Sequence, residues 1–154
     1  MAAASEDIYS LLVPLQKERL VVPRSCVAEV VRYSVPAGGD ADRWLCGTVV
    51  WNNLDIPIVS LERLCGMSPP TPGGRTRIVV FHPLSRNDGS PYGLLVEGFP
   101  QMVRVSREVL EVDQSYQAPP DSPIICRVRM LHEQALIPDL EMIEEHLRTA
   151  LAIV

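Results

Sequence analysis

The stretch 47–64, GTVVWNNLDIPIVSLERL, constrains the fold more than any other part of the chain. Apolar residues dominate 48–51, Asn52-Asn53 supplies a two-residue turn that tolerates positive φ, and 56–59 resumes the sheet pattern. Ser60 then stands where the N-cap of a short helix carrying Leu61 and Leu64 would be. Strand, turn, strand and helix follow one another here with no nucleophile, base or metal ligand among them. The unit is scaffold and surface, which points towards binding rather than chemistry.

The rest of the chain continues in short β-like runs separated by breakers. Residues 9–15 and 19–22 flank the polar tip Gln16-Lys17-Glu18, and 26–33 is rich in valine with Glu29 and Arg32 as its polar positions. Residues 34–42 read as a loop. Three prolines and three glycines within 66–74 exclude regular structure there and suggest a connection between two halves of the chain. Strands are expected at 76–82 and 92–97 around a hairpin loop bent at Asn87-Asp88-Gly89. After Gly98-Phe99-Pro100 comes an alternating run at 101–105, and then 106–123 reads as loop with one helical turn near Glu108 to Leu110. Strands at 124–131 and 135–137, with a turn at 132–134 between them, lead to Asp139, a candidate N-cap. Beyond it Leu140, Ile143, Leu147 and Leu151 share one face of a helix whose other face is charged. Residues 51–64 and 131–143 echo each other, both running from a polar turn through Ile-Pro to a helix. Two similar small β units, each closed by a helix, explain that echo, and many short strands with Gly/Pro turns favour barrels or a sandwich.

With 154 residues, 47% of them hydrophobic and 21% charged, the chain can bury a real core. A net charge of −5 and a single lysine, Lys17, argue against nucleic acid as a partner. No run reaches the ~18 apolar residues of a membrane span, so no direct membrane insertion is expected. The opening residues lack the basic region of a secretory signal. Cys26, Cys46, Cys65 and Cys126 are widely spaced without a C-x-x-C pair and read as buried reduced thiols of a cytoplasmic protein. His82, His132 and His146 are scattered, so neither a metal site nor a cofactor is expected. Hydrolase, nucleotide-binding and zinc-protease motifs are all missing from the sequence. Glu62 and Glu97, the one imaginable carboxylate pair, read as solvated positions. No enzymatic activity is expected.

Three stretches resemble the CheW-like domains of bacterial chemotaxis adaptors. Residues 20–32, LVVPRSCVAEVVR, are similar to that family's opening strand and V-x-E-V-V-R run. Residues 47–66 match its G-x-x-x-L-R-G-x-x-x-P-V-x-D-L segment at Gly47, Pro57, Leu61 and Leu64, and 77–105 resemble its strand pair R-I-V-V…G-L-L-V. The resemblance implies a mainly β fold of two packed five-stranded SH3-like barrels with short helices and a C-terminal helix, within a single domain at 7–150. It further implies a cytoplasmic adaptor that couples the cytoplasmic tip of a methyl-accepting chemoreceptor to a CheA-type histidine kinase. Val27, Glu29 and Val30 fall on the family's partner-binding strand, and Gly47 on its structural or binding glycine. Where the family has Leu-Arg-Gly, this chain has Trp51-Asn52-Asn53, so Asn52 replaces an arginine, and Ser60 replaces an acid. That departure suggests an accessory adaptor of a type IV pilus (twitching motility) system. The alternative is a module that binds only one partner and competes with the main coupling protein.

Overall fold

The computed structural model describes residues 7–40, 43–69, 71–84, 89–130 and 132–151. Eleven strands and two helices follow in the order β1 (Ile8–Pro14), β2 (Arg19–Pro23), β3 (Val27–Arg32), β4 (Leu45–Trp51), β5 (Leu54–Val59), α1 (Leu61–Leu64), β6 (Arg77–Phe81), β7 (Tyr92–Val96), β8 (Gln101–Val105), β9 (Leu110–Val112), β10 (Ile124–Met130), β11 (Glu133–Pro138) and α2 (Leu140–Leu151). They form a six-stranded sheet, β8-β1-β2-β11-β10-β9, and a five-stranded sheet, β3-β6-β7-β5-β4. The five-stranded sheet curls until the segment after β3 meets β4. There Ala37 and Thr48 exchange backbone hydrogen bonds of 2.8 and 2.9 Å, closing the barrel.

The two halves of the chain are interleaved. Hairpin β1–β2 lies in the six-stranded sheet, but the chain then crosses at the 3-10 turn Arg24–Cys26 and lays down β3, β4 and β5 in the other. The second half mirrors this: β6–β7 stays in the five-stranded sheet, and the chain crosses at 98–100 to supply β8 to β11. Each half ends in an antiparallel hairpin and a helix, and in each the last strand pairs in parallel with the other half's hairpin, β5 with β7 and β11 with β2. This is the structural content of the echo between 51–64 and 131–143. The Pro/Gly run at 66–74 does join the two chain halves. Both its neighbours, α1 and β6, nevertheless belong to one barrel, so it does not cross between sheets.

Interleaving explains why the hairpin strands are apolar without alternation. In β1, β2 and β6 one side chain faces its own barrel and the next faces the other sheet. Leu12, Val21, Val105, Val128, Met130 and Ala135 fill the six-stranded sheet. Cys46, Val49, Ile56, Ile58, Ile78 and Val80 fill the five-stranded barrel. Between the sheets lies a third and larger core, with Val13, Leu20 and Val22 meeting Val79, Phe81, Tyr92 and Leu94. The rings of Phe81 and Tyr92 stack there with centroids 5.4 Å apart. Helix α2 closes it with Leu140, Ile143 and Leu147.

Local signals resolve as read. Asn52 and Asn53 have φ of 50° and 63°, a primed turn that suits the twist of a hairpin. The Ser60 hydroxyl accepts from the Arg63 N–H at 3.3 Å, and the Asp139 carboxylate from the Met142 N–H at 3.1 Å, capping both helices.

Three expectations need correction. The stretch 106–123 is not all loop: a turn bonded to the Ser106 carbonyl leads into strand β9, which pairs with β10 and makes that sheet six-stranded instead of five. Leu110, Glu111 and Val112 carry no pattern that marks a strand, and β10 recruits them through backbone bonds. The turn expected at 132–134 is shorter, since Glu133 and Gln134 already pair with Met130 and Arg129. The strand expected from Cys26 begins at Val27, because Arg24–Cys26 is the crossing turn. The bend residues Asn87 and Asp88, and Leu131, lie outside the described residues.

Ile143 is fully buried where α2 meets both sheets. Ile143→Ala should cost about 2–5 kcal/mol in denaturant unfolding, in one cooperative transition.

Candidate functional site

Strand β3 is an edge of its sheet, bonded only to β6. Strict alternation would set Val27 and Val30 on opposite faces. A register shift between Val27 and Glu29 adds half a step, so both pack half-buried against the core between the sheets. Ala28 and Val31 pack into the barrel instead, while Glu29 and Arg32 stand exposed. The valines are thus partly core and partly surface, with a carboxylate and a guanidinium on the rim.

Strand β1, paired with β8, also borders that core through Leu11. Tyr9 lies across from Arg104 and Leu11 across from Met102, so these four share one face. Leu11 packs on the shared core, whereas Tyr9 and Met102 are 51% and 55% exposed. The Arg104 guanidinium sits 5.4 Å from the Tyr9 ring centre and 3.8 Å from Asp7. An apolar apron therefore extends the core towards solvent. Tyr9, Leu11 and Met102 were missed as site residues, because in sequence they are ordinary strand positions. The alternation of Met102 and Arg104 with valines was their only mark.

The β4–β5 hairpin offers a second surface. Asn52 is exposed at its tip, with Val50 74% exposed on one face of the hairpin and Leu54, paired with Trp51, 50% exposed on the other. In the register of the Ala37–Thr48 bridge, Val35, 81% exposed, falls opposite Val50. Gly47 lies behind this surface and is buried. Its φ is +123°, and a Cβ would come within 2.5 Å of the Ala37 carbonyl oxygen. Bare backbone is what allows the barrel to close there. The five sequence candidates thus occupy three settings: Val27, Glu29 and Val30 on one edge strand, Asn52 at a hairpin tip, and Gly47 inside the barrel seam.

The four thiols are free, and burial pushes each of them up, Cys65 to about 11. None is prepared as a nucleophile. Among the described residues no group of three His, Cys, Asp or Glu side chains could hold a metal ion. The reading of Glu62 as solvated is overturned: it is buried at the N-terminal turn of α1. Burial raises its carboxyl above the ordinary range, Glu97 raises it further, and a hydrogen bond from the Gln16 backbone opposes both. Sequence misses this because the partners come from different strands. On α2 Glu144 is buried as well, its two oxygens accepting the Leu84 N–H at 3.1 and 3.0 Å.

Residues 10–147 match the model of the CheW-like domain family. In fold the chain is similar to the scaffolding protein TtCheW from Thermoanaerobacter tengcongensis, known from its crystal structure. The TM-score is 0.66 at 16% identity over 85% of this chain and 88% of that one. No curated protein sequence matches the chain.

Gly47→Ala should break the Ala37–Thr48 closure and cost about 1–3 kcal/mol, read as a lowered melting temperature. Asn52→Ala at the exposed tip should disturb only the local turn. A Gly47 variant of unchanged stability would show that the seam tolerates a side chain.

Proposed function

Because the chain belongs to the CheW-like domain family, we propose that it works as a non-catalytic chemosensory adaptor, docking a chemoreceptor tip and a CheA-type histidine kinase at separate surfaces. One observation supports this above all: two exposed apolar surfaces sit on different edges of a rigid double sheet. One combines Val27 and Val30 with Leu11, Tyr9 and Met102 where the core reaches solvent. The other is the face of the β4–β5 hairpin that carries Val50, with Val35 across from it; Leu54, paired with Trp51, lies on the hairpin's other face.

Pre-formed sheet edges lose little conformational entropy on binding, so moderate and reversible docking follows. We assign the first surface to the receptor's helical hairpin, with Glu29 and Arg32 as its charged rim. The second we assign to the kinase regulatory domain. Asn52 there carries no charge, so the hairpin relies on apolar contact and shape in place of a charge-assisted bond. Among the described residues no helix is long and apolar enough to cross a membrane. Action in the cytoplasm, within a pilus-linked pathway, is part of the proposal.

A second reading keeps its place because of Asn52 and Asn53. A hairpin without the family's arginine fits a module that engages only one partner and competes with a main coupling protein. Reconstitution separates the two: an adaptor lets receptors control kinase phosphorylation, and a competitor lowers that control as more chain is added.

Val27→Asp and Glu29→Lys should each weaken capture of a receptor cytoplasmic domain by about tenfold or more, equivalent to ~1.4 kcal/mol, without lowering the melting temperature in proportion. Kinase capture should instead respond to Val50→Asp. Receptor binding unchanged by both β3 substitutions would remove that strand from the interface.

A further inference from the structure

Helix α2 carries a second stripe beside the one that closes the core. Met142, Glu145, His146 and Thr149 follow one another at steps of three, one and three residues, so they share one side of the helix. They border a cavity of about 530 Å³ whose wall Trp44 and Asp121 complete. Trp44 stands just before β4, its carbonyl accepting the Ser60 N–H at 2.7 Å, and its ring packs half-buried against the core between the sheets. The His146 ring approaches it with centroids 6.0 Å apart and planes tilted by 60°. Asp121 is carried in by the segment before β10. There the Pro123 carbonyl accepts the Asp139 N–H at 2.8 Å, and the Pro119 carbonyl accepts the Ser122 N–H at 3.2 Å. Three separate pieces of chain thus build the cavity, and it shares no residue with the two docking surfaces proposed above.

The charge of this cavity is one-sided. Asp121 and Glu145 are exposed, and among the described residues neither carboxylate has a hydrogen-bond or ion-pair partner. The lining carries no lysine or arginine. Arg43, next to Trp44, lines a different cavity, and Arg148, three residues beyond Glu145, is exposed outside this one. An indole face attracts a cation through its ring quadrupole, and carboxylates beside it add charge-assisted hydrogen bonds. A guanidinium meets both demands at once, being flat enough to stack on the ring and forked enough to bridge to a carboxylate. The carbon stem of an arginine would lie along Met142. From Met142 to Ala150 the helix rises about 12 Å, the length of three or four residues of extended chain. Those dimensions fit a side chain delivered by a polypeptide. The net charge of −5 favours the approach of a basic segment.

We propose that this cavity is a third docking site, which takes an arginine of a partner protein: the guanidinium lies on Trp44, and Asp121 and Glu145 hold it from the sides. Neither receptor nor kinase capture at the other two surfaces enters the proposal, so it stands or falls apart from the adaptor role.

The test uses the full chain carrying Trp51→Phe, which leaves Trp44 as the only tryptophan. The probe is a capped pentapeptide, Gly-Ala-Arg-Ala-Gly, with versions in which lysine or the neutral isostere citrulline replaces the arginine. Trp44 fluorescence should change saturably with the arginine peptide, half-saturating at about 1 mM, as one stacked and paired side chain allows. Lysine should bind more weakly and citrulline not at all. Glu145→Lys and Asp121→Lys, both at exposed positions, should each weaken binding about tenfold, and added salt should weaken it too. Arg148→Ala should not weaken it. Glu145→Gln and Asp121→Asn give the same comparison if a lysine variant fails to fold. Citrulline bound as well as arginine, affinity unchanged in the Asp121 and Glu145 variants, or no saturable signal up to about 20 mM peptide would each overturn the site. Tetramethylammonium bound as tightly as the arginine peptide would make the cavity a small-cation pocket and overturn its role in protein docking.

Discussion

Everything in this molecule rests on the apolar contact between the inner hairpins of the two sheets. Val13, Leu20 and Val22 on one side and Val79, Phe81, Tyr92 and Leu94 on the other are almost wholly removed from water. Burial of this kind contributes about 1.5–3 kcal/mol for each large side chain, and here it joins pieces that neither sheet could hold alone. Because each half of the chain donates its first hairpin to the other half's sheet, neither barrel forms from one contiguous stretch. Unfolding one therefore strips strands from the other.

That arrangement also decides which strands keep an exposed surface. Inner strands are covered on both faces, so exposed apolar surface falls at the edges, among them β3, the β1–β8 pair, the β4–β5 hairpin and the β9–β10 pair with Val112 and Ile125. At β3 a single register shift turns two valines towards one side and leaves a carboxylate and a guanidinium at the rim. The barrel seam, by contrast, depends on bare backbone at Gly47, behind the hairpin and not on it. A glycine that matches a family motif can thus serve the interface only by holding the strand that carries it.

Reading the sequence went furthest where the cause is local. The Asn52-Asn53 turn, the caps at Ser60 and Asp139 and the amphipathic α2 are set by residues within one or two turns of each other, and all were legible. The echo between 51–64 and 131–143 was legible too, as a repeated hairpin and helix. Strand β9 was not, since Leu110, Glu111 and Val112 become a strand only because β10 offers them an edge. Tyr9, Leu11 and Met102 were equally silent as a surface, because their common face exists only once β1 lies against β8.

By itself the sequence determined the mainly β architecture, the strand count to within one, the punctuation and the family. The architecture and the punctuation follow from apolar period, Gly/Pro placement and short-range hydrogen bonding, which act between neighbours in the chain. The strand count and the family follow from the resemblance of three stretches to the family's motifs. Only the tertiary structure decided that the halves exchange hairpins, that 66–74 stays within one barrel, and that Glu62 is buried beside Glu97. Each of these depends on residues far apart in sequence being brought together by the shared core, and an environment such as a carboxylate's solvation has no local signature to read.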